Sequence, residues 1–428
     1  MQSDRADAPA AAPAAPGAPA PDYLVPATAS LQERRPRALK HGDTFALFDH
    51  SGDALAGPGS PEGIYHRDTR HLSQLVLTVH GMRPILLSST LRDDNAMLTC
   101  DLTNPDVVDS SRLMRLEHDL IHFRRSRFLW NGACYERLVV RNFDTVAHSL
   151  SLEVRFAADF ADLFEVRGAT RPKRGVRHPA EIRSDGVKLA YTGLDGQRRE
   201  THITFDPAPA ELTASSALFH IDLKPHQTRS LFMQITCNQA VQLPARGFFV
   251  ALREARRALR SSSARAASIS TSNEIFNEAV RRSVSDLYML ITDTEDGPYP
   301  YAGIPWFSTV FGRDALITGL ETLWLDPAIS RGVLRHLAAN QARAYDAFAD
   351  AEPGKILHEV RYGEMAQLGE VPFRRYYGSV DSTPLFVMLA GAYLERTGDT
   401  KTLKELWPNI EAALRWIDLY GDRDGDGF

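Results

Sequence analysis

The hydrophobic period changes once along this chain, near residue 271, and that change decides what it can fold into. Before it, apolar residues recur at every second position. Leu150, Leu152, Val154 and Phe156 alternate with Ser151, Glu153 and Arg155. Val187, Leu189 and Tyr191 are followed across Asp195-Gly196 by Thr201, Ile203 and Phe205. Phe219, Ile221 and Leu223 alternate again before Lys224-Pro225-His226 leads into Leu231–Cys237. A period of two puts successive side chains on opposite faces of a strand, and turn dipeptides at short intervals join such strands antiparallel. Residues 39–242 are therefore expected to form an antiparallel β-sandwich. No long helical pattern separates the strands, which argues against a doubly wound parallel sheet.

From residue 271 the period becomes helical. Phe276, Val280, Val284, Leu287 and Ile291 mark one face, and Thr271-x-x-Glu274 predicts a capping box ahead of it. Further helices are expected at 314–325, 328–345, 384–396 and 408–420, with Pro384 and Pro408 near helix starts and Gly398 just past an end. Loops rich in glycine, proline and aromatic residues separate them at 292–313 and 351–382, and loops of that length inside a compact helical domain are usually functional. Five or six such helices make half of a helical toroid. The final Asp422-Arg-Asp-Gly-Asp-Gly-Phe428 reads as the middle of a turn, so the sequence is expected to be part of a longer one. The expected organisation is a tail at 1–38, the β-sandwich at 39–242, a linking helix at 243–270 and an incomplete helical domain at 271–428.

Composition removes several functions. Residues 8–21 contain only Ala, Pro and Gly, five of them proline, so they can form neither a core nor a secretory signal. Arg34-Arg35-Pro36-Arg37 reads as a solvated linker. The formal net charge is −5, which gives no electrostatic reason to expect nucleic acid or an anionic membrane as partner. The most apolar stretch, Leu385–Leu394, is half the roughly 20 residues of a membrane span and reads as a buried helix. The three cysteines are odd in number and widely spaced, which argues against a disulfide framework or a zinc site and for a cytoplasmic protein. There is no glycine-rich phosphate loop and no G-x-S-x-G elbow, and no cofactor is expected.

Three clusters can carry chemistry. In Tyr299–Asp314, the rings of Tyr299, Tyr301, Trp306, Phe307 and Phe311 suit the C–H face of a sugar, and Arg313 and Asp314 suit vicinal hydroxyls, one donating and one accepting. The same aromatics also suit a core, and Asp314 also suits a helix cap. In Gly354–Met365, His358, Glu359, Arg361 and Glu364 gather within seven residues; Tyr362 stands where HExxH would need a second histidine, so this is no zinc motif. A polar loop with local ion pairs is the competing reading. In Tyr376-Tyr377-Gly-Ser-Val-Asp381-Ser-Thr-Pro-Leu-Phe386, Asp381 precedes a nearly all-apolar helix beside Tyr376 and Tyr377, while Thr383 before Pro384 is expected to be the cap. Carboxylates on aromatic-rich loops suggest glycoside hydrolysis, which needs one protonated and one ionised carboxyl at roughly 6.5–9.5 Å when water attacks directly. A helix N-terminus lowers a carboxyl pKa, which opposes the acid role. Asp422-x-Asp424-x-Asp426-Gly427 matches the first half of a calcium loop, a pattern common without calcium, and no metal is assigned.

These residues resemble a known family. Tyr65-His-Arg-Asp-Thr-Arg-His-Leu-Ser73 and Phe156-Ala-Ala-Asp-Phe-Ala-Asp-Leu-Phe-Glu-Val-Arg-Gly168 look like the N-terminal domain of bacterial glycogen-debranching-type proteins. Gly312-Arg-Asp314, the Tyr-Gly-Ser-Val-Asp381 block and Leu406-Trp-Pro with Trp416 and the Asp-Gly-Asp-Gly ending look like their amylo-α-1,6-glucosidase-type domain. The resemblance implies an (α/α)6 toroid like those of glucoamylases and trehalases and an inverting hydrolysis of α-linked glucosides. It implies that Asp381 is the general acid, that Trp306, Arg313 and Asp314 line a glucose subsite with His358 and Glu359 as its wall, and that the base lies in later helices this sequence does not contain. The partner expected is a carbohydrate, an α-glucoside or branched α-glucan. Two other readings stay open: a carbohydrate-binding or assembly protein without catalysis, and a lyase or phosphorylase on the same toroid.

Overall fold

Thirteen of the strands belong to two antiparallel sheets that face one another. In the computed structural model, which describes residues 36–55, 57, 59–108, 114–238 and 247–421, one sheet has nine strands. It runs in the order Val176–Arg177, Gly186–Thr192, Arg198–Asp206, Thr228–Cys237, Ala133–Asn142, Ile121–Trp130, Leu98–Thr103 and Ile85–Leu91, with Glu181–Ile182 also on Gly186–Thr192. The other runs Glu211–Leu212, Ser216–Leu223, His148–Ala157, Gln74–Val79. The alternation read from sequence is the packing itself: Leu150, Leu152 and Phe156 of the second sheet meet Phe123, Val140, Ile203 and Ile235 of the first in one core. The fold is a β-sandwich followed by helices. The tail as far as residue 35, residues 243–246 of the linker and Asp422, Asp424 and Asp426 lie outside the described residues.

A smaller sheet of Arg37–His41, Thr44–Phe48, Gly63–His66 and Thr69–Leu72 borders the helical part. Its last hairpin turns through Arg67 and Asp68, whose φ values of 47° and 62° are those of a tight two-residue turn. The Tyr65-His-Arg-Asp-Thr-Arg motif is thus a hairpin whose tip presents Asp68. A one-turn helix α1 (Leu163–Val166) follows, capped by Asp162 and Glu165 in a reciprocal box.

Seven helices come next: α2 (Phe248–Ser263), α3 (Glu274–Leu290), α4 (Gly312–Glu321), α5 (Pro327–Ala339), the short α6 (Glu364–Gln367), α7 (Ser382–Thr397) and α8 (Thr400–Tyr420). α4 packs on α5 and α7, and α7 on α8, around a core that includes Leu316, Ile329, Val333, Phe386 and Leu389. Three expected helix ends are corrected. The cap of α3 is Asn273, whose side chain accepts from Phe276 N at 3.1 Å; Thr271 lies too far upstream and is tied to Asn277 instead. α8 starts earlier than 408 because Gly398, at φ 67°, ends α7 and Asp399 caps the next helix at once, so Pro408 falls inside it. Thr383 is no cap either: it sits within α7 and its hydroxyl accepts from Ile356 N at 3.0 Å.

Candidate functional site

Backbone hydrogen bonds lay three distant segments side by side. Gly312 N donates to His358 O at 2.8 Å, and Val360 N to Val310 O at 3.2 Å. His358 N and Glu359 N donate to Tyr376 O at 2.8 and 3.1 Å, and Arg361 N to Phe373 O at 2.7 Å. The approach is close enough that a Cβ on Gly312 would lie 1.9 Å from Leu357 O, so glycine is needed there. These bonds bring together the three clusters singled out in the sequence.

Arg313 and Asp314 occupy the first turn of α4, and Asp381 the N-cap position of α7. The helices are neighbours with their N-termini at one end, because Arg313 Nη1 lies 3.5 Å from Asp381 Oδ2 and Arg313 Nε 3.8 Å from Asp314 Oδ2. All three side chains are open to solvent, at 46% for Arg313, 42% for Asp314 and 40% for Asp381. Neither carboxylate caps its helix through its side chain. Ser379, two residues ahead of Asp381, donates its hydroxyl to Asp381 Oδ1. Burial raises the Asp381 carboxyl, but the Ser379 hydrogen bond and the Arg313 charge outweigh it and hold the group below the usual carboxylate range.

His358 completes the group. Its ring lies edge-on to Phe311, with centroids 5.8 Å apart, and to Tyr376 at 6.2 Å. Burial holds its imidazole below the ordinary value and Arg313 acts the same way, against Glu359, Asp314 and Asp381. The neutral ring has a buried Nδ1 with no hydrogen-bond partner, the kind of atom a ligand satisfies.

The other expected residues serve elsewhere. Glu359 is buried in an ion pair with Arg361, Nε to Oε1 at 2.5 Å. The Trp306 indole packs on the β-domain cluster of Phe45, Leu47 and Tyr65 with the Arg167 guanidinium 5.7 Å from its ring centre, and its carbonyl accepts from Arg361 Nη2 at 2.7 Å. Tyr377 is buried in the helical core and donates its hydroxyl to Asn340 O at 2.8 Å. Tyr376 alone of the pair turns toward His358. Phe311, one of the aromatic rings of the first cluster, stands against His358, and Ser379 is a site residue whose sequence signal is its place two residues before the carboxylate. Among the described residues no group of three or more His, Cys, Asp or Glu is placed to hold a metal, and no helix is long and apolar enough to cross a membrane.

The family model for the N-terminal domain of (some) glycogen debranching enzymes matches residues 39–234. A search of curated proteins finds no significant match. Among solved structures, a protein named as a kojibiose phosphorylase, from the human microbiome, aligns at 9% identity with a TM-score of 0.58 over 88% of this chain and 56% of that one. A bacterial glucoamylase complexed with acarbose aligns at 11% identity with a TM-score of 0.44 over 88% and 65%. The first of these likenesses shows the fold, a β-sandwich leading into toroid-type helices, and this chain spans 56% of the length of that structure.

Proposed function

We propose, from the match of residues 39–234 to the N-terminal domain of (some) glycogen debranching enzymes, that this is a carbohydrate-active enzyme module of glycogen-debranching type acting on α-linked glucosides. The observation that carries the reading is the convergence of Asp381, Arg313, Asp314 and His358 at the N-termini of two adjacent helices. Arg313 and Asp314 offer donors and an acceptor to sugar hydroxyls, and the unpartnered His358 Nδ1 offers one more contact. Asp381 is the proposed general acid. With Arg313 beside it the carboxyl is ionised. A sugar hydroxyl that takes over the Arg313 N–H groups loosens the direct Arg313–Asp381 contact, and desolvation by the same sugar raises the carboxyl toward the acid role. The water-activating carboxylate of the inverting scheme is proposed to come from outside this cluster. Debranching of an α-1,6 linkage is the finer form of the proposal. A cytoplasmic site of action is proposed because Cys100, Cys134 and Cys237 are all free and buried.

Hydrolysis of maltose, isomaltose and an aryl α-glucoside by the protein and by Asp381→Asn tests the reading. We expect the variant to lose about a hundredfold to ten-thousandfold in turnover, and the anomer released to be inverted by proton NMR. Ser379→Ala and Arg313→Gln should each raise the Asp381 pKa in a carbon-13 carboxyl titration. Turnover unchanged in Asp381→Asn refutes the assignment. The ionised Asp381–Arg313 pair also favours a second reading, sugar binding without catalysis. Calorimetric binding of maltooligosaccharides with no product formed would select it.

A further inference from the structure

We propose that a groove of about 820 Å³ beside the candidate site binds the phosphate monoester of a sugar. The groove lies between the end of α5, residues 342–351 and residues 360–377. Its volume falls in the range of roughly 300–1,000 Å³ that small-molecule sites occupy.

Its charge is what points to an anion. Arg343, Arg374 and Arg375 line it, all three are exposed, and none has an ion pair with another described residue. Each guanidinium keeps a planar fork of N–H donors that matches phosphate oxygens. The lining holds one carboxylate, Asp346, and its Oδ1 is occupied by the backbone N–H groups of Phe348 and Ala349 at 3.0 and 3.4 Å. The buried Arg361 in the wall is already neutralised by Asp68 and Glu359. The adjoining cavity shares Arg374 and Tyr362 with this groove, and its remaining arginines, Arg67, Arg198 and Arg199, are paired with Asp43, Glu200 and Asp195. Of the unpaired arginines, Arg343 and Arg375 line only this groove of the two, and Arg374 stands between them.

The sugar part rests on two exposed rings in the same lining, Phe348 and Tyr362. Arg67 stands 5.7 Å from the Tyr362 ring centre. Flat apolar faces beside charged donors suit a pyranose that carries a phosphate. The groove is not the Asp381 site. Tyr376 and Tyr377 are consecutive, and the first meets His358 while the second lines the groove.

The test is calorimetric titration of the full chain with glucose 6-phosphate, glucose 1-phosphate and inorganic phosphate. A sugar phosphate should bind saturably and more weakly as ionic strength rises. R343Q, R374Q and R375Q should each weaken it about tenfold with an unchanged unfolding transition, and F348A should also weaken it. Absence of binding by either sugar phosphate overturns the proposal. So does binding that survives in R343Q/R374Q/R375Q or that is lost instead in R313Q. Inorganic phosphate binding as tightly as both sugar phosphates overturns the sugar part. None of these results bears on hydrolysis at Asp381, which is read by turnover.

Discussion

Arg361 is 1% exposed, and it joins the β-domain to the loop that carries His358. Its Nη1 donates to Asp68 Oδ1 at 2.9 Å, its Nε pairs with Glu359 and its Nη2 holds the Trp306 carbonyl. The other Asp68 oxygen accepts from Tyr362 N at 2.8 Å. Asp68→Ala removes one of two counter-charges from a buried guanidinium and orphans a backbone N–H. Removing one member of a buried pair costs about 3–5 kcal/mol, and an unsatisfied N–H about 1–3 kcal/mol. Glu359 keeps part of the charge compensated, so the two do not add in full, and the expected loss is about 3–5 kcal/mol. Asp68 also has a φ of 62°, which alanine tolerates poorly, so Asp68→Gly is the control that relieves the backbone and still lacks the carboxylate. Asp68→Asn keeps one acceptor oxygen and should lose about half as much. Urea unfolding followed by tryptophan fluorescence reads the loss, since Trp306 lies against the β-domain. Limited proteolysis should at the same time find the 356–377 segment more open. Asp68→Ala and Asp68→Gly both within about 1 kcal/mol of the parent, below what any buried pair of this kind is worth, would refute the reasoning.

Two further outcomes follow from single positions. Gly312→Ala sets a methyl 1.9 Å from Leu357 O, a backbone atom that cannot step aside, so it should cost about 3 kcal/mol in urea unfolding and displace Arg313 and Asp314 together; an unchanged midpoint would show the approach to be looser. Asp162 is fully buried, and burial pushes its carboxyl up to about 7, past the opposing hydrogen bonds from Phe164 N and Met365 N, with the Asp68 and Glu165 charges adding to the rise. A folded pKa above the unfolded value means that the native state holds the extra proton. Its contribution is complete below about pH 4 and is lost as pH rises through about 7, so stability should fall across that window. Asp162→Asn should remove that slope in thermal melts, and a slope equal in both proteins would show that Asp162 does not titrate there.

Most of the fold was legible because the two periods are strong. Strand His148–Ala157 buries each apolar residue the alternation marked, and the Asp195-Gly196 dipeptide does turn Gly186–Thr192 into Arg198–Asp206, with Gly196 at φ 73°. Helix ends were less legible, since Thr271, Asn273 and Asp399 all carry capping chemistry and only the tertiary partner of each decides which one caps. In the candidate site, Arg313, Asp314, His358 and Asp381 lie in motifs dense enough to be picked out. What sequence could not show is direction. Trp306, Glu359 and Tyr377 stand in the same motifs, yet one packs on the β-domain, one neutralises Arg361 and one closes the helical core. Trp306 depends on β-domain residues far back in the chain and Tyr377 on the Asn340 carbonyl at the end of another helix, whereas the Glu359–Arg361 pair is the local one that the competing reading of that loop expected.

That division of labour explains why the β-domain is fastened to the loops by polar groups and not only by an apolar face. Apolar contact tolerates sliding, whereas a buried ion pair is satisfied at one setting and is costly at any other. Three buried carboxyl groups lock adjacent residues, two of them through ion pairs and one through a backbone N–H. Asp68 holds Arg361 and Tyr362 N; Asp162 accepts from Met365 N at 3.0 Å; and Glu364 accepts from Tyr191 Oη at 2.9 Å and Leu194 N at 2.8 Å while pairing with Arg171 at 3.2 Å. All lie on the β-domain side of residues 361–365, and His358 is three residues before the first of them. The loop is therefore held from the β-domain at one end, and at the other by α7, where Thr383 takes Ile356 N. A segment clamped between two rigid bodies can keep an unpartnered imidazole nitrogen and an exposed carboxylate in register without bonding them to each other, which is the condition for both to meet a ligand.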